Sequence, residues 1–297
     1  MAELGGSLCE TPGLVARESD VIFISVSTYT SPPPSMNVEK LIPAQVSDDT
    51  ALRSVISSLS TVDLTGKIIV DTTTIHPTTT SWATTHMLQN GATYIAAPVF
   101  GSTPVAQAGR LLVAIAGSPQ AISAVEPYLK GVIARGVIHV GDEPSQAMIL
   151  KTTSNMLTAG LTYLISEAHT LAEKSGLPSE ILEDLIEQNF GSYAHGVSKR
   201  LTTGAYMPPE GVRPQSSLEL GIKDVQLGIE LAESKGMKLD VAERWVEAAR
   251  EARGWGVERR RSLDSSSVFG VVRGRAGLGF ETAVVKRRDV GMRGEDR

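Results

Sequence analysis

Residues 137–155 read VIHVGDEPSQAMILKTTSN. Four β-favouring residues, VIHV, run into the turn signal GDEP, and a different kind of chain begins at Ser145. From Ser145 to Ser175 there is no proline, and the stretch closes on Gly176, a residue suited to a helix C-cap. Met148, Leu157, Leu161, Leu164 and Leu171 recur at roughly helical spacing. The segment therefore reads as the last strand of a sheet followed by one long helix. On that helix Lys151 and Asn155 lie one turn apart on one face. Thr158 and Thr162 extend this face as a polar stripe. The plain alternative for the threonines is a hydroxyl returned to the helix backbone.

Upstream, short β-rich runs alternate with stretches of helical length. Residues 21–26 (VIFISV), 67–71 (KIIVD), 94–99 (YIAAPV), 111–116 (LLVAIA) and 137–140 (VIHV) read as strands, and 48–60 and 78–90 as helices. The first two strands are near-continuous apolar runs, as buried parallel strands tend to be. This alternation predicts βαβ units and a parallel sheet. Downstream, 178–189, 192–202 and 218–235 read as helices and 204–214 as a loop. The expected organisation is an α/β domain over residues 1–143 and an all-α domain over 144–297.

Apolar residues make up 41% of the chain and charged residues 21%, which suits a globular protein with a substantial core. The net charge of −5 argues against a nucleic-acid partner. Cys9 is the only cysteine, so no intrachain disulfide forms, and the usage fits a reducing compartment. No secretory leader and no long apolar run are evident, so the expectation is a cytoplasmic protein that does not engage membranes. His76, His169 and His195 have no metal-ligand spacing and read as surface or packing residues.

Two segments look foreign. Residues 28–45, TYTSPPPSMNVEKLIPAQ, disfavour helix and sheet alike. They read as a surface insertion or as a retained intron, since Val26-Ser27 before them recurs as Val46-Ser47 after them. Residues 250–261, REARGWGVERRR, read as a solvated linker or helix end.

Four segments carry chemistry: DTTTIHP at 71–77, APVFGSTPVAQAG at 97–109, KTTSN at 151–155 and GIKD at 221–224. In this order and spacing they resemble the β-hydroxyacid dehydrogenase family, which includes 3-hydroxyisobutyrate dehydrogenase and the cofactor-binding half of 6-phosphogluconate dehydrogenase. The resemblance runs from about Ala2 to Asp289, apart from the insert. It implies a Rossmann-like sheet domain followed by a helical substrate and oligomerisation domain. It also implies an NAD- or NADP-dependent enzyme acting on a small hydroxyacid-like substrate as a homodimer or homotetramer.

The resemblance makes Lys151 the proton-transfer residue. An ammonium can protonate an alkoxide, and a partly desolvated amine can take a hydroxyl proton. The bland reading is an exposed helix lysine. Asn155 would orient the substrate through its amide; an exposed or capping residue is its alternative. Phe100, Gly101 and Ser102 fall on the substrate-carboxylate loop, where backbone N–H groups can cup an anion. The family usually has Ser-Gly-Gly here, so Phe100 implies a larger or less polar substrate. Thr74, at a strand's C-terminal end, matches a cofactor contact. Lys223 and Asp224 match the family's Lys-Asp pair near the nicotinamide.

The family's Gly-x-Gly-x-x-Gly turn is not found; Gly5-Gly6 is not that motif. The first βα unit and second strand of the family's pattern are likewise unmatched, so the expectation is an N-terminally truncated Rossmann-like domain. An apolar edge at residues 21–26 should follow. A non-catalytic oligomerisation or binding protein is the alternative that this departure raises.

Overall fold

A computed structural model describes residues 9–25 and 49–295, with side chains as far as Gly291. The insert at 28–45 and the residues before Cys9 lie outside this range. The chain forms two compact units, Met1–Thr152 and Thr153–Arg297.

In chain order the first unit contains α1 (Pro12–Arg17), β1 (Val21–Ile24), α2 (Asp49–Leu59), β2 (Ile68–Asp71), α3 (Pro77–Gln89), β3 (Thr93–Ala96), β4 (Val99–Phe100), α4 (Thr103–Gln107), β5 (Leu111–Ala116), α5 (Pro119–Val125), β6 (Ala134–Gly141) and the start of α6 (Pro144–Lys174). The strands make one sheet in the order β1-β2-β3-β5-β4, with β6 beside β5. β1, β2 and β3 run parallel, as do β5 and β6. β5 runs antiparallel to β3 and β4. The short connection through α4 explains this, because a parallel crossover needs a dozen or more residues.

The expected strand at 94–99 divides at Ala97-Pro98. The Ala97 amide still donates to Asp71 O, but Pro98 has no N–H to continue the ladder. The chain then pairs with β5 instead, through Ala114 N–H to Pro98 O and the register Phe100↔Leu112. Among the described residues β1 ends the sheet; its Ile22 and Ile24 are buried and Phe23 is exposed.

Apolar side chains fill both faces of this sheet. Ile69, Tyr94 and Ala114 belong to the cluster that takes in Ala147 and Met148 of α6, whereas Val70, Ile95 and Ile115 belong to the cluster around Ile122 and Leu129. Alternation along each strand sends neighbours to opposite faces.

The second unit contains the rest of α6, then α7 (Ser179–Thr202), α8 (Leu218–Glu233), α9 (Asp240–Glu258), α10 (Val268–Arg275) and α11 (Ala283–Glu295). The two helices expected at 178–189 and 192–202 run on through a kink at Gly191, where φ is 81° and ψ 177°. Trp245, Tyr206 and Leu201 anchor the core. Residues 250–258 are the end of α9, and beyond it the half-buried Arg261 pairs with Asp289 and donates to Pro208 O. No helix of the described residues is long and apolar enough to cross a membrane.

Candidate active site

The first cluster forms where α6 begins. It joins Lys151 of α6 to Val99 and Phe100 of β4. Lys151 is half-buried, and its Nζ donates to Val99 O at 2.9 Å. The same Nζ lies 5.0 Å from the centroid of the Phe100 ring. One dipeptide, Val99-Phe100, thus supplies both a carbonyl and an aromatic face to one ammonium.

Gly101 follows with φ at +142°, and a Cβ there would stand 2.8 Å from Leu111 Cδ2 and 2.9 Å from Val105 Cγ1. Only glycine makes this turn without displacing both neighbours. Ser102 is the N-cap of α4, and its side chain makes no capping bond.

A second arrangement sits at the carboxyl end of β2. The residues DTTTIHP leave the strand, pass through an irregular stretch and enter α3, with Pro77 in its first turn and His76 as N-cap accepting from Thr78 N–H. Thr74 is half-buried within that stretch. Thr72 donates its hydroxyl to Ile24 O, tying the stretch to β1. Asp71, fully buried, accepts from Thr73 N–H at 2.9 Å and from the Tyr94 hydroxyl at 2.5 Å. Burial pushes the Asp71 carboxyl up to about 6, against the lowering effect of the Tyr94 and Thr73 bonds. Burial, with the Asp71 charge beside it, holds the Tyr94 phenol well above its usual range. Sequence reasoning did not single out this pair. Its trace is a carboxylate closing the apolar run IIVD and a tyrosine in TYIA, with no spacing to link them.

The second unit gathers the other polar residues. Asp224 Oδ2 accepts from Asn155 Nδ2 at 2.8 Å, and its Oδ1 takes the Lys223 ammonium at 2.7 Å. Both charged side chains are mostly buried, at 15% and 20% exposure, so little water screens the pair. Gly221 explains how α8 reaches its place. A Cβ there would come within 3.0 Å of the Trp245 ring and of Ser265 Cβ. Thr162 takes the plain course and returns its hydroxyl to Thr158 O at 2.8 Å, while the Thr158 hydroxyl meets Tyr193 Oη at 2.8 Å.

Of the histidines, His169 is buried and bonded to Ser198 Oγ through Nε2 at 2.6 Å, and His195 lies 3.3 Å from Glu187. Both therefore pack or pair within the helical unit.

In the helical unit Lys223, Asn155 and Asp224 offer an ammonium, an amide and a carboxylate, groups able to pair with an amide and ribose hydroxyls. In the sheet unit the Thr72–Thr74 stretch lies at the carboxyl end of β2, where ligands meet an open parallel sheet. A Gly-x-Gly-x-x-Gly turn for the pyrophosphate does not occur in the sequence.

Residues 11–141 match the family model of the NAD-binding domain of 6-phosphogluconate dehydrogenase. Residues 145–269 match that of the NAD-binding domain of NADP-dependent 3-hydroxyisobutyrate dehydrogenase. The chain is 24% identical over 254 residues to an NADH-dependent oxidoreductase of Aspergillus ustus, covering 84% of this chain and 83% of that one. It is 30% identical over 211 residues to an uncharacterized oxidoreductase of Mycobacterium tuberculosis, covering 68% of this chain and 70% of the relative. The fold is similar to that of the 3-hydroxyisobutyrate dehydrogenase of Mycobacterium tuberculosis, with a TM-score of 0.69 at 20% identity over 89% of this chain and 83% of the other. By its two consecutive domain matches and its relatives, the chain belongs to the β-hydroxyacid dehydrogenase family, whose members are oxidoreductases that use NAD or NADP.

Proposed function

We propose that the protein transfers hydride between a nicotinamide cofactor and the hydroxyl-bearing carbon of a small β-hydroxyacid-type substrate, with Lys151 carrying the proton. The nicotinamide, when bound, accepts or supplies the hydride. Lys151 Nζ takes the hydroxyl proton in the oxidative direction and returns it to the nascent alkoxide in the reductive direction. Phe100, Gly101 and Ser102 hold the substrate carboxylate through the backbone of their turn. Asn155 orients the substrate through its amide, held by Asp224. Thr74, Lys223 and Asp224 bind the cofactor.

One observation carries this reading: the Lys151 ammonium reaches Val99 O, next to the turn that begins at Phe100. The test combines titration with NADH and NADPH and a screen of small hydroxyacids and their oxo counterparts. Lys151→Met should keep cofactor affinity and lower turnover by roughly 10²–10⁴-fold. Unchanged turnover ends the assignment. If neither cofactor binds, the alternative reading as a non-catalytic oligomerisation or binding protein takes its place.

The same reading makes the protein a homodimer or homotetramer. Its support is an apolar stripe on α6, Leu157, Leu164 and Leu171, at exposures of 64%, 56% and 68%. Apolar area of this kind on one face is a usual mark of an interface. Sedimentation equilibrium decides it, and a monomer at all concentrations removes the reading.

A further inference from the structure

We propose that Phe100 is a positioning residue for Lys151, its ring fixing the ammonium over the substrate turn and favouring the charged form; this rests on reading Lys151 as the proton-transfer group. Three observations converge on it. β4 pairs with β5 through Val99↔Val113 and Phe100↔Leu112, so the dipeptide is fixed by a ladder and not left to a loose loop. Neighbouring residues on a strand face opposite ways. Val99 packs with the cluster of Val113 and Ile115, and Phe100 packs with the cluster that holds Ala147 and Met148 of α6. The ring is thereby placed on the face where α6 delivers Lys151. Lys151 Nζ then meets two attractions from adjacent residues, the Val99 carbonyl at 2.9 Å and the Phe100 ring at 5.0 Å.

The ring acts through its quadrupole, whose negative face attracts a cation and offers a neutral amine little. The carbonyl can accept from either form of the nitrogen, but it binds the ammonium more strongly. The ring adds to that preference from the next residue of the strand. A serine at position 100 would lack it. The consequence for the reaction is a lysine kept in place beside the turn, its ammonium held by both groups of the dipeptide. Phe100 therefore tunes the proton step without touching the reacting atoms.

The test uses the full chain grown with [6-¹³C]lysine, with Lys151→Met identifying the Lys151 resonance. In the unaltered protein the Lys151 ε-methylene protons should be displaced upfield by the ring current. Phe100→Leu should abolish the displacement and lower the pH midpoint of that resonance by about half a unit, roughly threefold in proton affinity. Phe100→Tyr should restore both. The pH profile of kcat/KM should move with the midpoint.

An undisplaced resonance in the unaltered protein overturns the proposal, even if Phe100→Leu does not fold. So does a folded Phe100→Leu whose midpoint is unchanged. The two readings separate cleanly. Full turnover in Lys151→Met ends the catalytic assignment and leaves the ring displacement standing, whereas an inactive Lys151→Met with an undisplaced resonance ends only the role of Phe100.

Discussion

The Tyr94 hydroxyl donates to Asp71 Oδ2 across 2.5 Å, and both residues are buried in the sheet that carries the Thr72–His76 stretch. Burial pushes Asp71 up to about 6. Its folded pKa therefore exceeds the ordinary 3.8, and the folded chain binds this proton more tightly than the unfolded chain. The contribution to stability is fully present below about pH 3.8 and is lost as pH rises through about 6. At pH 8 the ionised carboxylate costs on the order of 2–3 kcal/mol. Asp71→Asn keeps an oxygen for Thr73 N–H and gains a donor for Tyr94. Urea unfolding should find the variant more stable than the unaltered chain at pH 8, with the difference gone near pH 4. A difference independent of pH contradicts this account.

Much of the fold is legible in the sequence because its signals are local. LLVAIA at β5 and the proline-free run of α6 declare themselves by composition and length. α10 does not, since Gly270 and Gly274 depress helix propensity. Gly270 is explained only in three dimensions, where a Cβ would stand 2.7 Å from the Phe280 ring. The site divides in the same way. Lys151 and Asn155 are readable as neighbours on one helix. The meeting of Lys151 with Val99 and Phe100 joins residues about fifty positions apart, and no periodicity records it. Asp71 with Tyr94 is hidden for the same reason.

Gly101 is the strictest requirement of the turn that follows β4. At φ +142° a side chain is strained and would also meet Leu111 and Val105. Gly101→Ala should cost about 1–3 kcal/mol in thermal unfolding. If the turn holds the carboxylate, the KM for the acid should rise more than kcat falls. A variant with native stability and native KM would remove Gly101 from the site.

Asp224 holds two groups at once, Asn155 at 2.8 Å and Lys223 at 2.7 Å. Asp224→Ala releases both and leaves a mostly buried ammonium without this partner. Titration with NADH and NADPH should show affinity weakened about tenfold, the equivalent of roughly 1.4 kcal/mol. Asp224→Asn should fall between, since one amide oxygen can still accept from Asn155 or Lys223. Equal affinity in all three proteins would dissociate this cluster from cofactor binding.

His169 gives the helical unit a pH response opposite in sign to that of Asp71. Burial lowers its pKa, and the charge of Glu183 only partly offsets this. Glu183 is itself desolvated, yet its bonds from Lys199 and Thr202 carry it below its ordinary value, so it remains charged. The fold thus holds a neutral imidazole, bonded to Ser198 Oγ at 2.6 Å. Because the folded pKa lies below 6.5, the contribution is fully present above that value and is lost as pH falls beneath it. His169→Gln keeps a hydrogen-bonding group but cannot charge. Between pH 7 and pH 5 its urea midpoint should fall less than that of the unaltered chain. Paired with Asp71→Asn, which removes the gain in stability on acidification, the two variants should displace the pH–stability curve in opposite directions. Their effects should add, because the residues belong to separate compact units.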